Sequence, residues 1–257
     1  MFNLNEGLLS SIFTEANYWG DMPWYAIVPA IVGVCFIAYL LGSINSAIII
    51  SKVFFGEDVR TKGSGNAGTT NVLRNYGKGA ALGTLLGDML KTAIAIAIAG
   101  VVFGFGYAGV ISVSEMCYVA GMFSIIGHVF PIYYGFKGGK GVLSTATMVL
   151  VLAPVVFLIL ITIFISVVAF SKYVSLGSVL AASLFPVVLN GYFGVFEVPM
   201  PGLMALSSIL LAILIVWCHR ANLVRISNRT ENKLSFGKKP KEEEPEENAP
   251  RGYGDEE

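Results

Sequence analysis

Three short polar stretches interrupt an otherwise apolar chain, and each carries residue types suited to holding an anion. The first covers residues 58–74, with Gly63, Gly65 and Gly68 spaced among Ser64, Asn66, Thr70 and Asn71 and flanked by Arg60 and Arg74. Glycines allow positive φ and close approach, so successive backbone N–H groups can converge on negative charge. Hydroxyl and amide donors plus two fixed guanidinium charges complete a set that fits a phosphate. The same glycines satisfy G-x-G-x-x-G, but that pattern has meaning only between a strand and a helix, and here it follows a long apolar run. For this segment alone, a flexible polar connector is the plainer alternative.

The second stretch runs Gly127, His128, Val129, Phe130, Pro131 and then Phe136, Lys137, Gly138, Gly139, Lys140, Gly141. It is not a nucleotide P-loop: Tyr134 stands where the first glycine belongs, and Gly141 follows the lysine where Ser or Thr would hold magnesium. A glycine nest, two ammonium groups and the positive end of a following helix remain as anion-binding physics. His128 reads more readily as a structural histidine hydrogen-bonded at a helix end than as a catalytic one. The third stretch is His219, Arg220, Ala221, Asn222, Leu223, Val224, Arg225. In a continuing helix His219 and Asn222 share a face at i, i+3, with Arg225 three residues further. Arg225, Arg229 and Lys233 also read as ordinary positive anchors. Lys172, Ser175 and Ser178 open a later apolar run, the serine hydroxyls fit for an anion or, at Ser178, for a helix cap.

These stretches must be positioned by helices in lipid. Of the 257 residues 55% are hydrophobic and only 13% charged, about half the charge of a soluble domain. Apolar runs near the roughly 20 residues of a spanning helix recur, at 24–50, 79–103, 110–130, 142–152, 155–170, 173–193 and 202–218. The fourth and fifth are short and meet at Ala153 and Pro154, where proline breaks a rod. Counting them as two puts every basic loop on one side, because Lys and Arg gather on cytoplasmic loops. The expectation is an all-α transmembrane bundle of about seven helices, two of them short, with the N-terminus outside and the C-terminus in the cytoplasm. Residues 1–22 carry acids and no Lys or Arg, so they are an extracytoplasmic leader rather than a secretory signal. Residues 23–234 form the transmembrane domain, and the Glu- and Pro-rich 235–257 a disordered cytoplasmic tail. Asp88 and Lys91, i, i+3 within the second run, should pair or support the site from below. Three isolated cysteines (Cys35, Cys117, Cys218) offer neither metal-ligand spacing nor a disulfide framework.

Taken in order and spacing, the motifs resemble the bacterial integral-membrane acyl-phosphate:glycerol-3-phosphate acyltransferases. Residues 64–74 match that family's S-G-N-x-G-x-T-N-x-x-R, the second stretch its G-H-x-F-P and F-K-G-G-K-G, and His219, Arg220 and Asn222 its H-R-x-N. Asn45 and Ala67 depart, standing where family members often carry proline. The resemblance implies acyl transfer from acyl phosphate to the 1-hydroxyl of glycerol 3-phosphate at the cytoplasmic membrane, on its cytoplasmic side. It implies membrane lipid as surroundings and no cofactor, metal, nucleotide or nucleic acid. The implied catalytic set is His219, Asn222, Ser64 and Lys140. The implied substrate-binding set is Arg60, Gly63, Gly65, Asn66, Gly68, Thr70, Asn71, Arg74, Lys137, Gly138, Gly139, Ser175 and His128. No H-x4-D dyad exists, since Tyr133 and Val224 stand five residues after the two histidines. The donor phosphate is therefore expected to take the hydroxyl proton, with a His219 general base as the competing expectation. A transporter of a phosphorylated solute is the rival from another class.

Overall fold

The computed structural model describes residues 24–104 and 112–234, so the leader, the acidic tail and Val110 lie outside the described residues. What is described is helical. The order is α1 (Trp24–Ser43), α2 (Ser46–Phe55), α3 (Thr69–Phe103), α4 (Val113–Val129), α5 (Val142–Leu152), α6 (Pro154–Ser171), α7 (Val174–Val195), α8 (Gly202–Cys218) and α9 (Arg220–Ser227). Short 3-10 turns sit at Val59–Thr61 and Ile132–Tyr134. Five stretches are long and apolar enough to cross a bilayer, and α8 with α9, bent by 52°, makes a sixth. The short fourth run is α5, whose 11 residues reach about 16 Å at ~1.5 Å per residue, half of a ~30 Å hydrocarbon core. The fifth run is longer than expected, because Pro154 begins α6 at its first turn and the helix continues to Ser171.

The first run is a single apolar stretch broken at Ile44 and Asn45. Asn45 caps α2, its Oδ1 accepting from Ile48 N at 3.1 Å, and its Nδ2 donates to Ala67 O at 3.4 Å. The two positions that depart from the family pattern thus touch each other. The second run begins earlier than hydropathy suggests: α3 starts at Thr69 and is kinked at Gly77, whose φ of 84° is left-handed.

Close helix crossings come from small residues, as packing in lipid requires. A side-chain carbon placed on Gly42 would sit 2.0 Å from Ser124 O, and one on Gly127 2.2 Å from Tyr39 O, so α1 and α4 cross backbone to backbone. At the end away from the polar stretches, Glu115 completes a capping box with Ser112 and also accepts from Leu203 N at 3.1 Å. One carboxylate therefore caps α4 and α8 together. At the other end Gly141, before α5, and Ser175, in the first turn of α7, border one cavity. The α5–α6 pair therefore leaves that end and returns to it, as a seven-segment chain requires.

Candidate active site

The 58–74 loop is built around Asn71. Its Oδ1 accepts from Ser64 N at 3.0 Å, while Nδ2 donates to Val59 O and Lys62 O at 3.1 and 3.0 Å. Gly63 is required here: its φ is 57°, and a Cβ would lie 2.4 Å from Asn71 Oδ1. Asn71 borders the cavity, but its amide holds the loop in shape. Arg60 does not face the cavity. Asp58 accepts from its Nε and Nη2 at 3.0 and 2.8 Å, and its Nη1 donates to Tyr134 O and Lys137 O at 2.9 and 3.0 Å. The guanidinium lies against Asp58 and holds that carboxyl down to about 2. Arg60 clamps the first loop to the second, because four guanidinium hydrogen bonds already meet protein oxygens.

The glycine nest expected at Gly138 and Gly139 is also corrected. Their N–H groups donate to Val129 O and His128 O, both at 3.1 Å. They close the C-terminus of α4, whose last carbonyls lack helical partners. Lys137 is exposed, and neither it nor Gly63, Gly65, Gly138 or Gly139 borders the cavity. Ser178 does not cap α7: its hydroxyl donates back to Val174 O at 2.9 Å.

The remaining expected residues do converge. A cavity of about 490 Å³ is bordered by Ser64, Asn66, Gly68, Thr70 and Arg74 from the first loop, by Lys140 and His128 from the second, and by Ser175, His219 and Asn222 from the last segments. Among the described residues Arg74 makes no ion pair, and its charge is exposed at the cavity rim. Burial pushes the Lys140 ammonium down to about 8, the Glu231 carboxylate partly offsetting and Arg225 adding to the depression. Lys140 Nζ donates to Asn222 Oδ1.

His219 sits at the bend between α8 and α9, so the continuous helix expected from spacing is broken there, yet His219 and Asn222 are both buried at the cavity wall. His219 Nδ1 lies 2.8 Å from Ile215 O. A carbonyl only accepts, so Nδ1 carries the proton and Nε2 keeps its lone pair. His128 has its Nδ1 2.9 Å from Lys91 Nζ, which supports a holding role for that ring.

Glu231 completes the site and was missed. Its Oε1 accepts from Asn222 Nδ2 at 2.6 Å and Ser175 Oγ at 2.9 Å, and its Oε2 from Arg225 Nε at 2.7 Å. Burial opposes the charge, but the bonds from Asn222, Arg225 and Ser175 hold the carboxyl below its ordinary range. Ser175 thus donates to the protein's own carboxylate, and Arg225 is a site residue rather than a surface anchor. One signal was available: Glu231 is the sole acid between Glu197 and the tail, set among Arg220, Arg225, Arg229 and Lys233.

The rest of the cavity is apolar. Leu143, Val149, Phe157, Leu160, Phe164 and Phe185 wall a slot between α5, α6 and α7, continuous with the polar end. This geometry can hold phosphate groups at its mouth and a chain of methylenes in its depth. The family model described as glycerol-3-phosphate acyltransferase matches residues 32–229. The chain belongs to that family. It is 39% identical over 223 residues to the glycerol-3-phosphate acyltransferase of Chlorobaculum tepidum, covering 79% of this chain and 96% of that one. With the Clostridioides difficile member it shares 40% over 198 residues, 77% of this chain and 92% of the relative. The crystal structure of PlsY (YgiH), an integral membrane glycerol 3-phosphate acyltransferase in its glycerol 3-phosphate form, superposes with a TM-score of 0.69 at 31% identity, covering 80% of this chain and 96% of that one. Its lysophosphatidic acid form gives 0.66 at 30%, with 80% and 95% covered. The segment shared with this acyltransferase family contains all three polar stretches.

Proposed function

We propose that this chain transfers an acyl group from acyl phosphate to the 1-hydroxyl of glycerol 3-phosphate, releasing 1-acylglycerol 3-phosphate and inorganic phosphate at the cytoplasmic face of the cell membrane. One observation carries the reading: a single cavity joins Arg74 and Lys140 at its polar end to an apolar slot, with His219 on its wall and that ring's Nδ1 engaged by Ile215 O. Two phosphate esters need cations at the mouth, and an acyl chain needs the slot. Placement at one end of the bundle suits an enzyme whose acceptor comes from water, whereas a carrier needs its site near the midplane.

In this reaction the 1-hydroxyl donates to an oxygen of the donor phosphate and presents its own oxygen to the acyl carbonyl carbon, while His219 Nε2 accepts from the 2-hydroxyl and so orients the acceptor. The new carbon–oxygen ester bond forms as the bond from that carbon to the phosphate oxygen breaks. The hydroxyl proton leaves with the departing phosphate, so no protein group must hold it and the step balances without a cofactor. Arg74 and Lys140 stabilise the phosphate charge. Ser64 and Thr70 offer hydroxyl donors beside Arg74. Asn222, with Lys140 on its oxygen and Glu231 on its amide nitrogen, fixes the ammonium rather than touching the reacting atoms.

The test is a donor swap on detergent-solubilised full-length protein. Acyl phosphate with glycerol 3-phosphate should give 1-acylglycerol 3-phosphate and stoichiometric phosphate, and acyl-CoA should give no product. Product from acyl-CoA alone would overturn the donor assignment. Solute flux in proteoliposomes without any turnover would replace the enzyme with a carrier.

A further inference from the structure

A buried charged cluster lies directly beneath the two loops, and the reaction does not use it. Lys91, within α3, is 5% exposed and its ammonium touches three other groups: Ile44 O at 2.8 Å, His128 Nδ1 at 2.9 Å and Asp88 Oδ1 at 2.9 Å. These contacts gather the break between α1 and α2, the end of α4 and the middle of α3 onto one nitrogen. Ile44 O is a carbonyl freed by the helix break, so the ammonium satisfies a group that would otherwise be orphaned in lipid. Asp88 supplies the counter-charge without which a buried ammonium would not be tolerated.

The geometry beyond the ammonium is directional. An ammonium only donates, so His128 Nδ1 accepts and the ring proton resides on Nε2. The Nε2 edge points at the place where the two loops meet: a Cβ on Gly139 would lie 2.1 Å from His128 Nε2 and 2.8 Å from Ala67 O. Ala67 belongs to the first loop and is also held by Asn45, the residue following Ile44. Gly139 is next to Lys140. His128 and Asp88 both border the cavity, so a shift of the ring reaches the donors on either side.

We propose that Lys91 is a positioning residue: through His128 its ammonium sets the spacing between the two loops, and with it the separation of the Arg74 and Lys140 charges. The proposal rests on the reading of the cavity as a glycerol 3-phosphate site and assigns that site its support. A tie that only held helices together would act regardless of His128. A tie acting through the ring requires it.

The experiment measures glycerol 3-phosphate binding by calorimetry, and steady-state kinetics with acyl phosphate, on full-length detergent-solubilised protein. Lys91→Met is expected to raise the Kd and KM for glycerol 3-phosphate by about tenfold or more, while kcat at saturation changes by less than about threefold. In a His128→Gln background, which removes the Nδ1 acceptor, the same Lys91→Met change should add less than about twofold, since residues in one network do not add. An equal rise in both backgrounds, or an unchanged Kd, would overturn the proposal. Should Lys91→Met leave Asp88 unpaired and prevent folding, Asp88→Asn with Lys91→Met removes both charges together and takes its place in the same cycle. Wild-type protein that neither binds glycerol 3-phosphate nor turns over would instead overturn the functional reading, so the two failures are distinct.

Discussion

At the scale of single residues, the site separates groups that face the cavity from groups that shape it, and titration distinguishes the two. Lys140, depressed to about 8 mainly by burial, is a cation only below that pH. Phosphate binding that depends on it is complete at lower pH and lost as pH rises through about 8. The expected kcat/KM for glycerol 3-phosphate therefore falls above pH ~8, and because a bound dianion stabilises the ammonium, kcat should fall at higher pH. Lys140→Arg keeps its charge throughout, so its alkaline limb should vanish; persistence of the same limb would place the titration elsewhere. His219→Gln offers an amide oxygen near the Nε2 position and is expected to keep turnover within about 10²-fold of wild type, with Kd unchanged. A loss beyond about 10⁴-fold at intact binding would make His219 the general base. Residue types, spacing and the family resemblance together singled out Arg74, Lys140, His219 and Asn222, which do border one cavity. They could not sort Arg60, Gly138 and Gly139 from residues that border the cavity, because a charge or an N–H in the sequence does not reveal which acceptor it meets. Glu231 was hidden for the same reason: three donors converge on it only after α7 and α9 have packed.

At the scale of elements, hydropathy locates the apolar runs but not the points where they break. Hydropathy runs through the interruption at Ile44 between α1 and α2, although Gly42, Ser43, Asn45 and Ser46 are stop and cap residues; the break rests on the Asn45 cap and on Lys91 from another helix. The kink at Gly77 likewise lies inside residues that hydropathy assigns to a connector. The backbone contact between α1 and α4 provides a clean test of packing. Gly42→Ala would put a carbon 2.0 Å from Ser124 O, a backbone atom that cannot turn aside. Overpacking of this kind typically destabilises by about 1–3 kcal/mol, so the thermal unfolding midpoint in detergent should fall by several degrees and folded yield should drop. Gly33→Ala, on the same helix with nothing within 4 Å, is the control and should be neutral or slightly stabilising. Equal effects of the two substitutions would mean that helix propensity, and not the crossing, governs this element.

For the molecule as a whole, the distribution of charge argues for one orientation. The end holding Glu115 and Glu197, where α4 and α8 are capped together, has no Lys or Arg in its described connections, while Arg60, Lys137, Arg74 and Lys140 crowd the opposite end. Positive residues are retained on the cytoplasmic side during insertion, so the cavity mouth should open to the cytoplasm, where a water-soluble phosphate ester could enter it. With Cys35, Cys117 and Cys218 replaced by alanine, single cysteines at Glu197 and Lys137, both exposed and both outside the cavity, report the two ends. A membrane-impermeant thiol reagent applied to intact cells should label Glu197→Cys and leave Lys137→Cys unmodified until the membrane is opened. The reverse pattern would place the cavity mouth outside the cell. Labelling of both from one side would break the α5–α6 return on which the shared cavity of Lys140 and Ser175 depends.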